Sequence, residues 1–355
     1  MDSKGDTRRV EQAPRMTPQR FQEITSRYSS LRVAVLGDFC LDRYLEIDPA
    51  REERSIETGL PVYNVVNVRA QPGGAGTILN NLVALGVGTI YPIGFAGFDG
   101  EGFELWNALE RLPGVQMTQF VRTLERRTFT YCKPLLCRPN LPPEELNRLD
   151  SKNWSPTPAS VQALLINGLL AAAEAADAII VLDQVDLPDT GVVARQVLER
   201  LEQLLQGDPS LLVLADSRRG LRGYPPAVFK MNAAELSALG GTGRELSLEE
   251  IKETAATLAR HNCQRVFVSM AERGILGATA AGEVEHVLAH PVRGPIDVVG
   301  AGDSVSANLT AALAAGAGLR EALELANAAA SVVIHKLGTT GTASVSELGE
   351  RLLAV

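Results

Sequence analysis

The sequence lacks the short motifs that mark several large enzyme classes. It contains no GxxxxGKS/T loop, no GxSxG elbow, no HExxH helix and no GxGxxG that follows a strand with dinucleotide spacing. These absences exclude P-loop nucleotide hydrolases, serine hydrolases with a nucleophile elbow and metalloproteases of the HExxH type. The histidines stand singly, and we expect each to be structural or on the surface: His261, His286, His290 and His335.

Cysteine and long apolar runs are also scarce. The four cysteines form no CxxC pair and no zinc-ligand spacing, which favours a reduced cytoplasmic compartment: Cys40, Cys132, Cys137 and Cys263. No window approaches an apolar span of membrane length, so we expect no membrane partner. Residues 1–20 are polar and lack the apolar core of a signal peptide, which predicts a loose N-terminal tail before one domain over 21–355.

The charge balance limits the partners further. The net charge is -8, which disfavours a general surface for nucleic acid or for an anionic membrane. With 355 residues, 45% of them hydrophobic, the chain is long enough for a large core in one α/β domain or two smaller ones.

Short apolar runs alternate with helical patterns along most of the chain. Strands are predicted at 32–38, 89–95, 178–183, 211–216, 228–232 and 265–270, and helices at 77–86, 101–111, 158–175, 190–206 and 247–261. This alternation predicts a mostly parallel sheet covered on both faces. Four strands end in a polar residue, Asp38, Asp183, Asp216 and Asn232, and this predicts a cleft beyond the carboxyl ends of the strands.

Two stretches depart from this alternation. Residues 43–70 and 114–138 alternate apolar and polar side chains, which predicts two strand hairpins with a solvated face. These hairpins would form either a small separate sheet, acting as a lid over the cleft, or an edge extension of the main sheet. Residues 138–160 are rich in proline and polar groups and are predicted to be a surface excursion.

The stretch "DVVGAGDSVSANLTAALAAG" places a small-residue turn in front of an apolar helix. Gly300, Ala301 and Gly302 form the turn, and Asp303 falls in the first turn of the helix. Backbone amides exposed there are typical of an anion site. Asp303 is then either a cap that satisfies those amides or a base aimed at a substrate in front of a phosphate.

Three further stretches carry polar or glycine patterns, each with an ordinary alternative. Gly73 and Gly74 precede a helix and form either a close ligand approach or a tight turn. Asn232 and Glu235 are spaced to order a hydrated Mg²⁺ or to close a capping box. The stretch "VSMAERGILGAT" predicts a hairpin that turns at Gly274.

Taken in this order, these stretches resemble the ribokinase-like (PfkB) carbohydrate kinases. "DVVGAGDSVSA" resembles the C-terminal signature of that family, "PGGAGTILNNLVALG" its GG motif, "MNAAELSAL" its N-x-x-E element and "VSMAERG" its nucleotide-side loop. The resemblance extends from about residue 31 to about residue 350, and within the family it is strongest to bacterial heptose-7-phosphate kinases. It implies a three-layer α/β/α fold with a mostly parallel central sheet and a small β-sheet lid.

The resemblance also implies roles for individual residues. Asp303 corresponds to the general base, and Gly300, Ala301 and Gly302 correspond to the anion hole. The remaining positions fall into three groups. Asp38, Asp42, Gly73, Gly74, Thr77, Asn81, Lys133 and Asp183 correspond to substrate binding; Asn232, Ser269, Arg273, Gly274 and Asn327 to ATP binding; and Asn232 and Glu235 to Mg²⁺ held through water, with Asp297 at a site for a monovalent cation such as K⁺.

The sequence departs from the family at one instructive position. Thr77 stands where heptose kinases and most of their relatives carry an asparagine, and Asn81 lies one helical turn further on, where it could partly compensate. The leading hypothesis is an ATP-dependent kinase of a sugar or sugar phosphate, with heptose 7-phosphate as the first acceptor to test. The alternatives are a kinase of another polyol or nucleoside, or a non-catalytic binding relative. The apolar stretch "VYNVVNV" in the predicted lid favours a homodimer.

Overall fold

The computed structural model of the chain describes residues 16–338 and 340–353. The strands are β1 (Arg32–Gly37), β2 (Phe39–Ile47), β3 (Glu53–Arg54), β4 (Pro61–Val62), β5 (Val65–Gly74), β6 (Thr89–Gly97), β7 (Phe120–Thr123), β8 (Phe129–Leu136), β9 (Glu144–Glu145), β10 (Leu149–Ser151), β11 (Ala178–Asp183), β12 (Leu212–Ser217), β13 (Val228–Asn232), β14 (Val266–Ser269), β15 (Ile275–Ala278) and β16 (Val284–Val287).

The helices alternate with these strands. They are α1 (Pro18–Thr25), α2 (Ala75–Ala84), α3 (Gly100–Glu110), α4 (Ala159–Ala175), α5 (Arg195–Gly207), α6 (Ala233–Leu239), α7 (Leu248–Asn262), α8 (Ala301–Ala314), α9 (Leu319–Val333) and α10 (Val345–Leu353). Local sequence explains several of their ends: Asp99 caps α3, and Ser247 with Glu250 closes a capping box at the start of α7.

A nine-stranded sheet forms the centre of the molecule, in the order β16-β15-β14-β13-β12-β11-β1-β6-β7. Strands β14 to β7 of this order run parallel, and β15 and β16 add an antiparallel edge. Side chains alternate between two cores, because Val33 and Val35 of β1 face one helical layer and Ala34 and Leu36 face the other. The predicted three-layer α/β/α fold is therefore confirmed.

A second, smaller sheet stands apart from the main one. Its order is β10-β8-β2-β5, with β9 paired to β8, and β2 forms a long antiparallel ladder with β5. The chain enters this sheet directly from β1, because β2 begins two residues after β1 ends. Of the two predicted arrangements, the separate small sheet is therefore the one observed, and we call it the lid sheet.

Of the predictions about the irregular stretches, one was wrong and one was incomplete. Residues 114–138 do not form a hairpin: β7 pairs with β6 at the edge of the main sheet, and β8 pairs with β2 in the lid sheet. Residues 138–160 are not only a surface excursion, since β9 and β10 extend the lid sheet. Residues 114–138 alternate as strands do, but which strands they pair with depends on partners far away in the chain.

The topology places a crevice at the carboxyl end of β1. Strands β6 and β11 flank β1 on opposite sides, so the chain connections leave the carboxyl ends of these strands in opposite directions. Ligands of open α/β sheets bind at such a switch point. The predicted tail 1–20 falls largely outside the described residues, and α1 already begins at Pro18. No helix in the described part of the chain is both long and apolar enough to cross a bilayer.

Candidate active site

The turn before α8 has the geometry of an anion site. Gly300 adopts φ 81° and ψ -4°, and a Cβ built there would lie 2.9 Å from the Thr340 methyl carbon, so the position requires glycine. The Ala301 amide donates to the Val298 carbonyl at 3.2 Å. Among residues 16–338 and 340–353, the Gly300 and Gly302 amides have no hydrogen-bond partner, which leaves two donors open at the positive end of the helix.

Asp303 stands beside these amides in the first turn of α8. Within the described residues its carboxylate accepts no hydrogen bond, and α8 has no side-chain cap, so the capping alternative is not what the structure shows. The pKa of Asp303 rises from 3.8 to about 7, chiefly because the carboxyl group is buried. The negative charges of Asp216 and Asp42 also raise this pKa, whereas the positive charge of Lys230 lowers it. A carboxyl group that titrates near neutral pH is suited to accept a proton.

A buried ion pair lies behind Asp303. The Lys230 Nζ is 2.7 Å from Oδ2 of Asp216, and the Ser306 hydroxyl donates to the same oxygen at 2.9 Å. Lys230 and Asp216 are 6% and 7% exposed, and they are near neighbours on the parallel strands β13 and β12. The pair therefore joins the central sheet to the first turns of α8.

A cavity of about 930 Å³ opens on the other side of the anion turn. The five residues assigned to ATP by resemblance all line it: Asn232, Ser269, Arg273, Gly274 and Asn327. Ala301 and Gly302 of the anion turn also line it, so the predicted nucleotide residues and the predicted anion hole share one space. Its volume suits a ligand of nucleotide size.

Asn232 and Glu235 form the capping box that the sequence left open as an alternative. The Asn232 Oδ1 accepts the Glu235 amide at 2.9 Å, and the Glu235 Oε2 accepts the Asn232 amide at 2.8 Å. The other Glu235 oxygen takes no part in this box. Burial raises the pKa of Glu235, the hydrogen bond from the Asn232 amide lowers it, and the negative charge of Asp216 raises it. A cation bound beside Glu235 would therefore relieve the repulsion between the Glu235 and Asp216 carboxylates.

This arrangement fits a hydrated Mg²⁺ better than a preformed metal cage. No group of three His, Cys, Asp or Glu side chains in the described part of the chain is placed to hold a metal ion. Mg²⁺ commonly keeps several waters and binds through one or two carboxylates together with substrate phosphates. Asp297, assigned to a monovalent cation, accepts the Val299 amide at 3.0 Å and is half-buried.

The lid sheet presents a polar face beside Asp303. Asp42 lies in register with Tyr131, which pairs with Asp150, and Tyr44 lies in register with Lys133. Because alternate residues of a strand share one side, these five side chains occupy one surface, which we call the lid face. The contribution of Asp42 to the Asp303 pKa shows that this surface lies near the anion turn.

Two residues surround Asp42 on the lid face: Gly73 lies against it, and Lys133 is a neighbouring positive charge. A Cβ on Gly73 would lie 2.5 Å from the Asp42 Oδ2, so glycine is required by this close approach. Burial raises the pKa of Asp42, while Lys133 and Arg148 oppose the shift. The Lys133 Nζ is 3.4 Å from the Tyr44 hydroxyl, and no carboxylate among the described residues lies within ion-pair distance of it.

Two carboxylates assigned to the substrate are instead committed to other partners. Both oxygens of Asp38 accept backbone amides, from Gln184 at 2.8 Å and Val192 at 2.6 Å, and Asp38 is 3% exposed. Asp183 is fully buried and accepts from Arg219 at 2.6 Å and from the Tyr224 hydroxyl at 2.9 Å. Both oxygens of Asp38 are therefore occupied, whereas the three hydrogen bonds to Asp183 all reach Oδ2 and its buried Oδ1 has no hydrogen-bond partner among the described residues.

The helix after the GG motif also differs from the prediction. Asn81 is fully buried, and its amide donates to the Thr77 carbonyl at 2.9 Å, so it does not replace the missing sugar contact. Thr77 is 1% exposed, and a Cβ on Gly300 would lie 3.4 Å from the Thr77 methyl carbon. Gly74, at φ 58°, starts α2 against the Asp38 carbonyl. Thr77 therefore supports the anion turn from behind.

Sequence reasoning missed Lys230 and gave Asp216 no role. The signal was present, because "VFKMN" carries a lysine inside an otherwise apolar strand. A buried charge needs a partner, and the polar end of the preceding strand offered Asp216.

The chain shares sequence with known proteins over most of its length. The model of the pfkB family carbohydrate kinases matches residues 139–345. The Bifunctional protein HldE of Bradyrhizobium sp. (strain ORS 278) is 29% identical over 334 residues, covering 94% of this chain and 66% of that protein. The HldE of Shewanella baltica (strain OS185) is 31% identical, covering 92% and 64%. The chain thus spans slightly less than two thirds of these relatives.

Solved structures share the fold at lower identity. The ribokinase of Arabidopsis thaliana, solved with ribose and ATP, has a TM-score of 0.63 at 17% identity and covers 91% of this chain and 98% of its own. Phosphofructokinase-2 of Escherichia coli, solved with substrates and products, has a TM-score of 0.66 at 20% identity with the same coverage. Together with the family match over more than half of the sequence, these findings identify the chain as a member of the pfkB family of carbohydrate kinases.

Proposed function

We propose that the protein transfers the γ-phosphate of ATP to a hydroxyl group of a sugar or sugar phosphate. One observation carries the proposal: Asp303, a carboxylate without a hydrogen-bond partner among the described residues, stands beside the open amides of Gly300 and Gly302, and Gly302 itself lines a cavity of about 930 Å³. A base and an anion site in contact are what phosphoryl transfer to an alcohol requires.

In the proposed reaction Asp303 takes the proton of the acceptor hydroxyl. The hydroxyl oxygen bonds to the γ-phosphorus as the bond from this phosphorus to the β-phosphate oxygen breaks, and ADP leaves. The Gly300 and Gly302 amides stabilise the charge on the transferred group, and the positive end of α8 adds to them. Ala301 has a smaller part than its predicted one, because its amide already donates to Val298.

The cavity is the proposed nucleotide site. Ser269, Arg273 and Gly274 would line the triphosphate and ribose, and Asn327 would lie near the adenine. A hydrated Mg²⁺ beside Glu235 would supply charge neutralisation to the phosphates. K⁺ at Asp297 remains part of the proposal, supported by the resemblance and by a neighbour, phosphofructokinase-2 of Escherichia coli, solved in complex with potassium.

The lid face favours an acceptor that itself carries a phosphate. Asp42 is an electrostatic neighbour of Asp303, and Gly73 lies against Asp42; these two residues would bind the sugar hydroxyls. Lys133 lies about 7 Å further along the strands, at two residues' rise, and has no carboxylate partner among the described residues. A half-buried ammonium at that distance suits the far end of a sugar phosphate. The resemblance to heptose-7-phosphate kinases and the similarity to the two HldE proteins make heptose 7-phosphate the first acceptor to test.

One observation supports a different acceptor. Thr77 replaces a side-chain amide and is buried behind Gly300, and Asn81 does not reach the cleft. The sugar site therefore has fewer polar groups than the resemblance implies, which leaves room for another polyol or a nucleoside.

The proposed functional unit is the domain over 21–355, assembled as a homodimer. Strand β5 is the edge of the lid sheet, and it exposes three valines: Val65, Val66 and Val68 at 43%, 51% and 45%. A long exposed apolar edge strand favours pairing with a second copy.

The test is ADP release from Mg·ATP with a panel of sugars, polyols, nucleosides and sugar phosphates that includes heptose 7-phosphate. The wild type is compared with Asp303→Asn, and ATP binding is measured for both by calorimetry. We expect turnover on one acceptor that falls about 10²- to 10⁴-fold in the variant, with ATP binding retained. Binding of ATP and a sugar without turnover on any acceptor would favour the non-catalytic alternative.

A further inference from the structure

Lys230 occupies an unusual place for a lysine. It lies in the middle of the apolar strand β13, is 6% exposed, and makes its ion pair with Asp216 on the adjoining strand. Ser306 of α8 donates to the same Asp216 oxygen, so the pair has a fixed geometry. A buried ion pair is a weak source of stability, because the cost of removing both charges from water offsets most of the attraction. The reason for a lysine at this position therefore lies elsewhere.

The ammonium lies directly behind the anion turn. A Cβ on Gly302 would be 3.1 Å from the Lys230 Nζ, so the absence of a side chain at 302 is what lets the charge come this close to the open amides. Burial lowers the pKa of Lys230, but Asp216 and then Asp303 and Glu235 more than reverse the effect. The group is therefore a cation at neutral pH, surrounded by three carboxylates.

We infer that Lys230 is the fixed positive charge that holds the terminal phosphate of the nucleotide over the anion turn, with Asp216 and Ser306 as the residues that position it. The inference rests on the proposed function, since it assumes that the turn receives the phosphate to be transferred. The ammonium acts across Gly302 and adds to the helix terminus, whose partial charge alone is about half an elementary charge. In a site that excludes water, such a charge is screened far less than on the surface.

A purely structural role predicts different behaviour. If Lys230 only joined β13 to β12, its loss would weaken folding and would affect every nucleotide alike. If it holds the terminal phosphate, its loss weakens binding of a triphosphate more than binding of a diphosphate, because only the triphosphate extends to the turn. The ratio of the two affinities separates these roles and needs no sugar acceptor.

The experiment is calorimetry of Mg·ADP and of Mg·ATP with a methylene group between its β- and γ-phosphorus atoms. We expect Lys230→Met to weaken the ATP analogue about tenfold or more relative to ADP, which is the range for a hydrogen bond to a charged group. Lys230→Arg, which keeps the charge, restores part of the difference. Lys252→Met, which removes one half-buried positive charge from α7, leaves the ratio unchanged.

Lys230→Met leaves Asp216 buried without its partner and can prevent folding. The double variant Lys230→Met with Asp216→Asn removes both charges and is measured in the same way, after thermal unfolding has shown that it is folded. An unchanged ratio in a folded variant overturns the inference. Turnover separates it from the proposed function: no ADP release by the wild type contradicts the kinase proposal, whereas a wild-type kcat in the Lys230→Met variant contradicts only the role of Lys230.

Discussion

Replacing Asp303 by asparagine should stabilise the protein while it removes the proposed base. The folded state raises the pKa of this carboxyl group from 3.8 to about 7, chiefly through burial and then through Asp216. The folded protein therefore holds the Asp303 proton more tightly than the unfolded chain does. This contribution to stability is complete below about pH 4 and is lost as the pH rises through 7.

The magnitude follows from the same shift. About three pKa units at roughly 1.4 kcal/mol each give an upper value of about 4 kcal/mol. The amino terminus of α8 favours the ionised form by up to about 1 kcal/mol, and water at the cleft reduces the shift further, so we expect roughly 2–3 kcal/mol. Asp303→Asn has nearly the same shape and no charge, so it should gain this amount relative to the wild type at pH 8.

The assay is urea unfolding of wild type and Asp303→Asn between pH 4 and pH 8. The stability difference should be small at pH 4, grow up to about pH 7 and stay constant above it. Asp177→Asn is the control of opposite sign: the hydrogen bond from Arg32 lowers the Asp177 pKa, so this variant should lose stability at neutral pH. A difference that does not change with pH, or an Asp303→Asn variant less stable than wild type at pH 8, would refute the electrostatic account of this site.

Three other predictions concern the turn, the acceptor and the assembly. Gly302→Ala should lower kcat about tenfold or more and leave the melting temperature unchanged, because the new Cβ would lie 3.1 Å from the Lys230 Nζ and force that ammonium to move. Wild-type kinetics of the Gly302→Ala variant would contradict this prediction. Lys133→Met should raise KM about tenfold for a sugar phosphate but not for the unphosphorylated sugar, and an equal effect on both would exclude a phosphate contact. If the wild type is the proposed homodimer in sedimentation experiments, Val66→Asp should be a monomer, whereas Leu164→Asp, equally exposed at 51% but on α4, should stay dimeric. A dimeric Val66→Asp protein would place the interface elsewhere.

The sequence predicted best where structure and chemistry are local. The turn at Gly300 and the helix that carries Asp303 depend on residues adjacent in the chain, and both were found at the expected positions. Asn232 and Glu235 were also found together, but the spacing could not distinguish a capping box from a metal site, and the box is what the two side chains form. Local patterns thus locate the elements of the site more securely than they assign its chemistry.

The errors occurred where the orientation of a side chain depends on distant residues. Asp38 and Asp42 are four positions apart in "GDFCLD", and no local signal shows which of them faces the cleft. Asp38 turns away because Gln184 and Val192, more than 140 residues later, supply the amides that it accepts. The pairing of β7 and β8 was missed for the same reason, since both strands alternate alike but join different sheets.

Under the proposed function, the charges around the anion turn predict that nucleotide and metal bind together. Asp216, Asp303 and Glu235 lie near the Lys230 ammonium, so the carboxylates outnumber this positive charge, and we expect the excess to repel a triphosphate that arrives without a metal ion. Protonation of Asp303 relieves part of the excess, but it also removes the base. A cation that enters with the phosphates relieves it while leaving Asp303 ionised. We therefore expect this arrangement to favour the metal–nucleotide complex over either component alone. The carboxylates that should weaken the binding of free ATP would then leave the proposed base, Asp303, ionised once the complex is bound.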